Sequence, residues 1–181
     1  GVNPDMAVFA KTISNGFPMG AIIGTASTME AAQKSFISSA YWTEGVGPAA
    51  SVACIEKMKK NDIPSHLNTI GKYFQLKWKE IGKRYDLPVF SKGRPELVQI
   101  GFNHPEANSL MTLFTTRMLD EGFLATSGFN PTWAHQKRHV DDYFDKAENV
   151  FTELSESLEK KDINQKINNR PKHTGFSRLV N

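Results

Sequence analysis

The sequence predicts an α/β protein whose second half forms an α+β unit of its own. Three observations carry this expectation. Two short apolar runs, residues 7–10 and 21–23, flank a turn rich in Gly and Pro and read as buried strands. Leu67, Ile70, Phe74, Trp78 and Ile81 step by three or four residues, the spacing of one helix face. Leu97-Val98-Gln99-Ile100-Gly101-Phe102 alternates in the manner of a half-buried strand.

The elements follow in order. Ser27-Thr28-Met29-Glu30 has capping-box spacing, which makes Ser27 an N-cap and predicts a short helix from Thr28 to about Lys34. Residues 36–43 are a loop rich in hydroxyl and aromatic side chains. Pro48 suits the first turn of the next helix, whose apolar face is Ala49, Val52, Ala53, Ile55 and Met58. The striped helix begins after Pro64, and Trp78 within it reads as core rather than ligand contact. Beyond Lys83 the composition changes, and Pro88-Val89-Phe90 is expected to be a strand that accompanies the alternating one. Leu110, Leu113, Phe114 and Met118 mark a helix that stops near Gly122, a glycine suited to the C′ position. Phe123-Leu124-Ala125-Thr126 reads as a further strand, and residues 140–158 as a long amphipathic helix. The polar, Asn-rich residues 161–173 predict a tail ordered only where it meets another surface, with residues 175–179 as its anchor. These boundaries divide the chain into residues 1–60, 61–160 and 161–181.

Composition narrows the functional classes. The 181 residues suffice for one sizeable core or two small ones. The net charge is +3 without a basic block, and Lys57, Lys59 and Lys60 suit an exposed helix end, so a nucleic-acid partner is not expected. Neither a bilayer-spanning apolar run nor a secretory signal is evident, so no membrane partner is expected. Cys54 is the only cysteine, which excludes an internal disulfide and fits a cytoplasmic setting; its apolar neighbours make it a small buried side chain. His135 and His139 are four apart, but His135 lies in Pro131-Thr132-Trp133-Ala134-His135, ahead of the helix, and no third ligand follows. Zinc is not expected. His135 with Trp133 reads as a substrate-side or subdomain contact.

Lys11 is the chemically informative residue. It closes the first apolar run and opens the turn Thr12-Ile13-Ser14-Asn15-Gly16-Phe17-Pro18-Met19-Gly20. A strand end is where α/β proteins build ligand sites, and a lysine in dry surroundings can act as a Schiff-base nucleophile.

The stretch Pro4 to Gly24 resembles the cofactor-lysine segment of class III aminotransferases, fold-type I enzymes dependent on pyridoxal phosphate. It looks closest to the branch containing glutamate-1-semialdehyde aminomutase. The likeness rests on Pro4-Asp5, Lys11, Gly16, Pro18 and Gly20. Ser14-Asn15-Gly16 is less glycine-rich than the usual form. A second signal is Thr43, in Trp42-Thr43-Glu44-Gly45-Val46-Gly47-Pro48, which keeps the Thr-x-x-x-x-Pro spacing, although the family more often has Gly-Asn before the proline. The likeness is strong from Pro4 to Met58 and loose from Leu97 to Leu154.

The resemblance implies a fold-type I transferase of which this chain is the C-terminal part: the end of the large domain plus the α+β small domain. It implies Lys11 as the catalytic, cofactor-binding residue, and pyridoxal 5'-phosphate as the cofactor. Thr43 would donate to the cofactor phosphate of a neighbouring subunit, which makes a homodimer; a plain helix-approach residue is the lesser alternative. Ser127 and Phe129 are candidates for lining the substrate side or ordinary loop residues. The partners implied are a small amino donor and a carbonyl acceptor, in an aminotransferase or a 2,1-aminomutase. Two other classes stay open: a noncatalytic, partner-binding domain of the family, and a decarboxylase or racemase of the same fold.

Overall fold

The computed structural model describes residues 1–173, so the expected anchor at residues 175–179 lies outside the described residues. The chain divides into two compact units, Gly1–Ile63 and the chain from Pro64 onward.

In the first unit, β1 (Met6–Phe9) and β2 (Ala21–Gly24) form an antiparallel hairpin in which Phe9 faces Ala21 and Met6 faces Gly24. Both apolar runs are thus strands, but they are not buried. Val8, Ile22 and Ile23 are more than half exposed, because a two-stranded ribbon has no second layer here to cover it. The expected cap also moves. Thr25 precedes α1 (Ala26–Met29), which tightens into a 3-10 turn over Glu30–Lys34. Ser27 lies inside the helix, where its hydroxyl and that of Thr28 meet the Thr25 hydroxyl. α2 (Val46–Lys60) places Pro48 in its first turn, as expected. The apolar face read for it is largely open, with Val52, Ile55 and Met58 all exposed. Cys54 is half-buried.

The second unit carries the main core. α3 (Ile63–Arg84) presents Ile70, Phe74, Trp78 and Ile81, each at most 3% exposed, as the stripe requires. β3 (Val89–Lys92), β4 (Val98–Phe102) and β5 (Gly128–Phe129) form an antiparallel sheet with β4 central. Val89 pairs with Phe102, and Val98 with Phe129. Val98, Ile100 and Phe102 of β4 turn to the core while Gln99 on the other face stays exposed; Gly101 on that other face is buried under the Phe90 ring. α4 (Ala107–Asp120) adds Leu110, Leu113, Phe114 and Met118 to that core. It ends in a paired cap: Gly122 adopts φ 90, its N–H reaches the Leu119 carbonyl, and the Phe123 N–H reaches that of Met118. α5 (Lys137–Lys160) buries Val140, Phe144, Ala147, Val150, Phe151 and Leu154 along one side. Arg117 joins α4 to α5 through a two-pronged pair with Glu153, at 2.8 and 3.1 Å.

Two expectations fail in this unit. Phe123–Thr126 is not a strand; the third strand is the two-residue β5 just beyond it. The polar stretch after Lys161 is not merely a tail. It forms α6 (Ile163–Lys166), and Ile163 and Ile167 enter the core while Ser109 donates to the Asn164 side chain at 2.7 Å. No helix among the described residues is long and apolar enough to cross a membrane.

Gly71, inside α3, marks the closest approach in this packing. A β-carbon there would overlap the Pro95 carbonyl, in the 3-10 turn Pro95–Leu97 that leads into β4. Alanine would ordinarily favour a helix interior by about 1 kcal/mol. Here the backbone contact outweighs that gain, and Gly71→Ala is expected to destabilise the unit by about 1–3 kcal/mol. A lowered urea midpoint at unchanged slope would show it; a raised midpoint would contradict it.

Candidate functional site

Lys11 lies in the connection between β1 and β2. Ala10 is extended, and Lys11 then adopts φ 57 and begins a 3-10 turn over Lys11–Ile13. A side chain in this left-handed region costs about 1–2 kcal/mol, so packing must hold the turn in place. Two contacts do so. Ser14 is 1% exposed, and its hydroxyl donates to the Phe17 carbonyl, closing the turn from within. Gly47, at the start of α2, lets the Pro18–Met19 backbone approach closely: a β-carbon there would stand 2.8 Å from the Pro18 carbonyl oxygen. The glycine that departs from the usual Asn before Pro48 is therefore required by the packing of this chain's own lysine turn.

Lys11, Thr12, Asn15, Gly16, Phe17, Pro18 and Met19 line a hollow of ≈ 520 Å³. Gly16 and Pro18, singled out in the sequence, thus share a wall with Lys11. Asn15, Phe17 and Met19 were not singled out, and their signal was only their nearness in the chain. Lys11 is exposed rather than set in the dry surroundings that would activate it. Its amine is accessible to a carbonyl compound entering the hollow.

Thr43 is exposed in the turn that leads into α2 and is not among the residues lining that hollow. The helix start beside it is ordered locally, with the Val46 N–H donating to the Glu44 carboxylate at 2.8 Å and the Ala49 N–H to the Gly45 carbonyl at 3.1 Å.

Of the second-unit candidates, Phe129 is held by packing, whereas Ser127 is exposed and lines a separate hollow of ≈ 360 Å³. Phe129 stacks on Phe74 with ring centroids 4.3 Å apart. The Ser127 carbonyl accepts from the Ile100 N–H at 3.0 Å. His135 packs edge-on against Phe129, and Trp133 against His66. Burial, then the neighbouring His139 and His66, hold the His135 ring below the ordinary histidine range. Among the described residues no group of three or more His, Cys, Asp or Glu is placed to hold a metal ion.

Comparison with known proteins extends this geometry. The 3-aminobutyryl-CoA aminotransferase of Cloacimonas acidaminovorans (strain Evry) is 28% identical over 123 residues, which are 66% of this chain and 30% of that enzyme. The glutamate-1-semialdehyde 2,1-aminomutase of Methylacidiphilum infernorum (isolate V4) is 27% identical over 161 residues, 78% of this chain and 37% of that enzyme. The two are similar at nearly equal identity, so the aminomutase branch expected from the lysine segment is not distinguished from other aminotransferases. In fold, the chain is similar to the internal-aldimine form of the FumI protein of Sphingopyxis sp. MTA144. The TM-score is 0.81 at 18% identity, covering 87% of this chain and 39% of that one. The chain thus spans about a third of the length of the curated relatives it matches. The family pattern described as "Aminotransferase class-III" matches residues 1–151, and the chain belongs to that family.

Proposed function

We propose that this chain is the C-terminal part of an enzyme that moves an amino group with pyridoxal phosphate, with Lys11 as the reactive amine. The observation that carries the reading is the placement of Lys11: an accessible amine on a held left-handed turn, opening on a hollow, in a chain of this family. The residues present fit the aldehyde end of the cofactor, because Lys11 is exposed and lines the hollow. The groups that would hold the ring and most of the phosphate are assigned to the rest of the intact enzyme.

Bound there, pyridoxal phosphate supplies the electron sink for chemistry at an amine-bearing carbon. Lys11 would hold the aldehyde end of the cofactor, and its Nζ, once free, would serve as the base that moves a proton at the substrate carbon bearing nitrogen. Phe17 and Met19 give the hollow beside Lys11 its apolar lining. Thr43 is proposed to donate its hydroxyl to a phosphate oxygen in a second copy, which makes the working enzyme a homodimer in the cytoplasm. Thr43→Ala in the intact enzyme should weaken cofactor retention roughly 10- to 100-fold, the worth of one hydrogen bond to a charged group, with little change in the rate of the loaded enzyme. Unchanged retention on dialysis would remove Thr43 from the site.

Transfer of labelled nitrogen tests the reading. The intact protein, given a ¹⁵N-labelled amino donor and a small carbonyl acceptor, should return labelled amine on the acceptor or, for an aminomutase, on the neighbouring carbon of the same skeleton. Release of carbon dioxide, or racemised donor without nitrogen transfer, would favour a decarboxylase or racemase instead.

A second reading is favoured by one observation. Val8, Phe9, Ile22, Ile23, Trp42 and Val52 of the first unit are each exposed, a large share of the apolar side chains of so small a unit. In an intact enzyme this surface is covered by the remaining chain; in a noncatalytic remnant it would bind a partner. Cofactor binding by this chain alone would argue against the remnant.

A further inference from the structure

The ≈ 360 Å³ hollow that Ser127 lines lies against β3, β4 and the start of α4. Small-molecule sites run from about 300 to 1,000 Å³, so it has room for a compact ligand. Two features of the chain make it. Phe90 of β3 pairs with Gly101 of β4, and its ring closes over the glycine: a β-carbon at Gly101 would stand 2.7 Å from the ring. The missing side chain lets the ring lie low on the strand and leaves the space above it open. The chain then returns from α6 and is pinned to α4. The Lys172 N–H donates to the Thr112 hydroxyl at 2.7 Å, and that hydroxyl donates to the Asn108 carbonyl at 2.7 Å. This brings Lys172 to the same hollow as Lys92, whose amine stands 5.1 Å from the Phe90 ring centroid.

Two lysines far apart in sequence thus line one hollow, and no Asp or Glu lines it with them. Among the described residues neither lysine is in an ion pair. Glu106, beside the lining residue Ala107, accepts instead from the Asn164 side chain at 2.9 Å. Like charges gathered without a counter-charge repel, and an anion between them relieves the repulsion. The rest of the lining joins apolar surface, Phe90 and Met111, to the polar side chains of Gln99, Asn108 and Ser127. We propose that this hollow binds a small organic carboxylate, its apolar body on Phe90 and Met111 and its charge facing Lys92 and Lys172. The inference does not rest on the role of Lys11.

The test is a titration of the full chain with benzoate, followed by amide nuclear magnetic resonance. The Gln99, Gly101, Asn108 and Ser127 amides should shift saturably, with half-saturation in the millimolar range or below. Benzamide, which has the ring without the charge, and inorganic phosphate, which has the charge without the ring, should each bind at least roughly fivefold more weakly. Lys92 and Lys172 are both exposed, so their substitution should leave the fold intact. Lys92→Gln and Lys172→Gln should each weaken benzoate binding roughly twofold to fivefold, the worth of an exposed ion pair. No saturable shift at these amides, benzamide as good a ligand as benzoate, phosphate as good a ligand as benzoate, or unchanged benzoate binding when both lysines are replaced would each overturn the carboxylate site.

Discussion

Lys11→Ala in the intact enzyme is expected to lower amino transfer by at least about 10²–10⁴-fold, the range for a lost general base, with the loss of covalent attachment adding to it. Single-turnover measurement with a bound amino donor reads the effect directly. The substitution should leave the fold alone. Lys11 is exposed, and alanine at φ 57 is no more strained than lysine. Lys11→Arg keeps the positive charge but provides neither the nucleophile nor a base, and should be as inactive as the alanine variant. Turnover at the normal rate in either variant would end the assignment of Lys11. Loss of turnover together with loss of the folded circular-dichroism signal would mean that the turn, not the amine, had been removed.

Trp78→Ala is expected to produce the largest loss of stability, about 3–5 kcal/mol in the second unit. Trp78 is fully buried, and its ring meets Phe114 and Phe151 edge-on with centroids 5.3 Å away in each case. The indole N–H donates to the Phe90 carbonyl at 3.0 Å, so one side chain ties α3 to α4, α5 and β3. Trp78→Phe refills most of the volume but leaves that carbonyl without its donor. It should cost less than the alanine variant, about 1–3 kcal/mol. Two units can unfold separately, so the measurement should follow amides of the second unit through the urea transition. A loss below about 1 kcal/mol for Trp78→Ala would contradict the described core, given the cost of large core truncations.

Periodicity made most of the second unit legible in advance. Ile70, Phe74, Trp78 and Ile81 share one face of α3, and Val98, Ile100 and Phe102 one side of β4. In each case burial acts on the same period that the sequence displays. The failures share a different physics. β5 is two residues long, too short to show a period, and its pairing with Val98 and Gln99 comes from tertiary contact. α6 was hidden because Asn164, Gln165 and Lys166 outnumber the one apolar residue, Ile163, that docks it. In the first unit the strands were found but their burial was not, because hydrophobicity reports what a chain can bury and not what is there to cover it. At the site, the lysine and its turn were legible from Lys11, Gly16 and Pro18. The left-handed φ of Lys11 and the buried hydroxyl of Ser14 were not, because both follow from how the turn packs on the start of α2.

The most direct test of Lys11 as the cofactor amine is borohydride reduction in the presence of pyridoxal phosphate, followed by peptide mass mapping. It should be run on this chain and on the longest available form of the protein. A pyridoxyl group confined to Lys11 in the longer form is the result expected. Labelling there but not in this chain would show that the groups completing the site lie outside residues 1–181. Scattered labelling of surface lysines, or none, in the longer form would contradict the account.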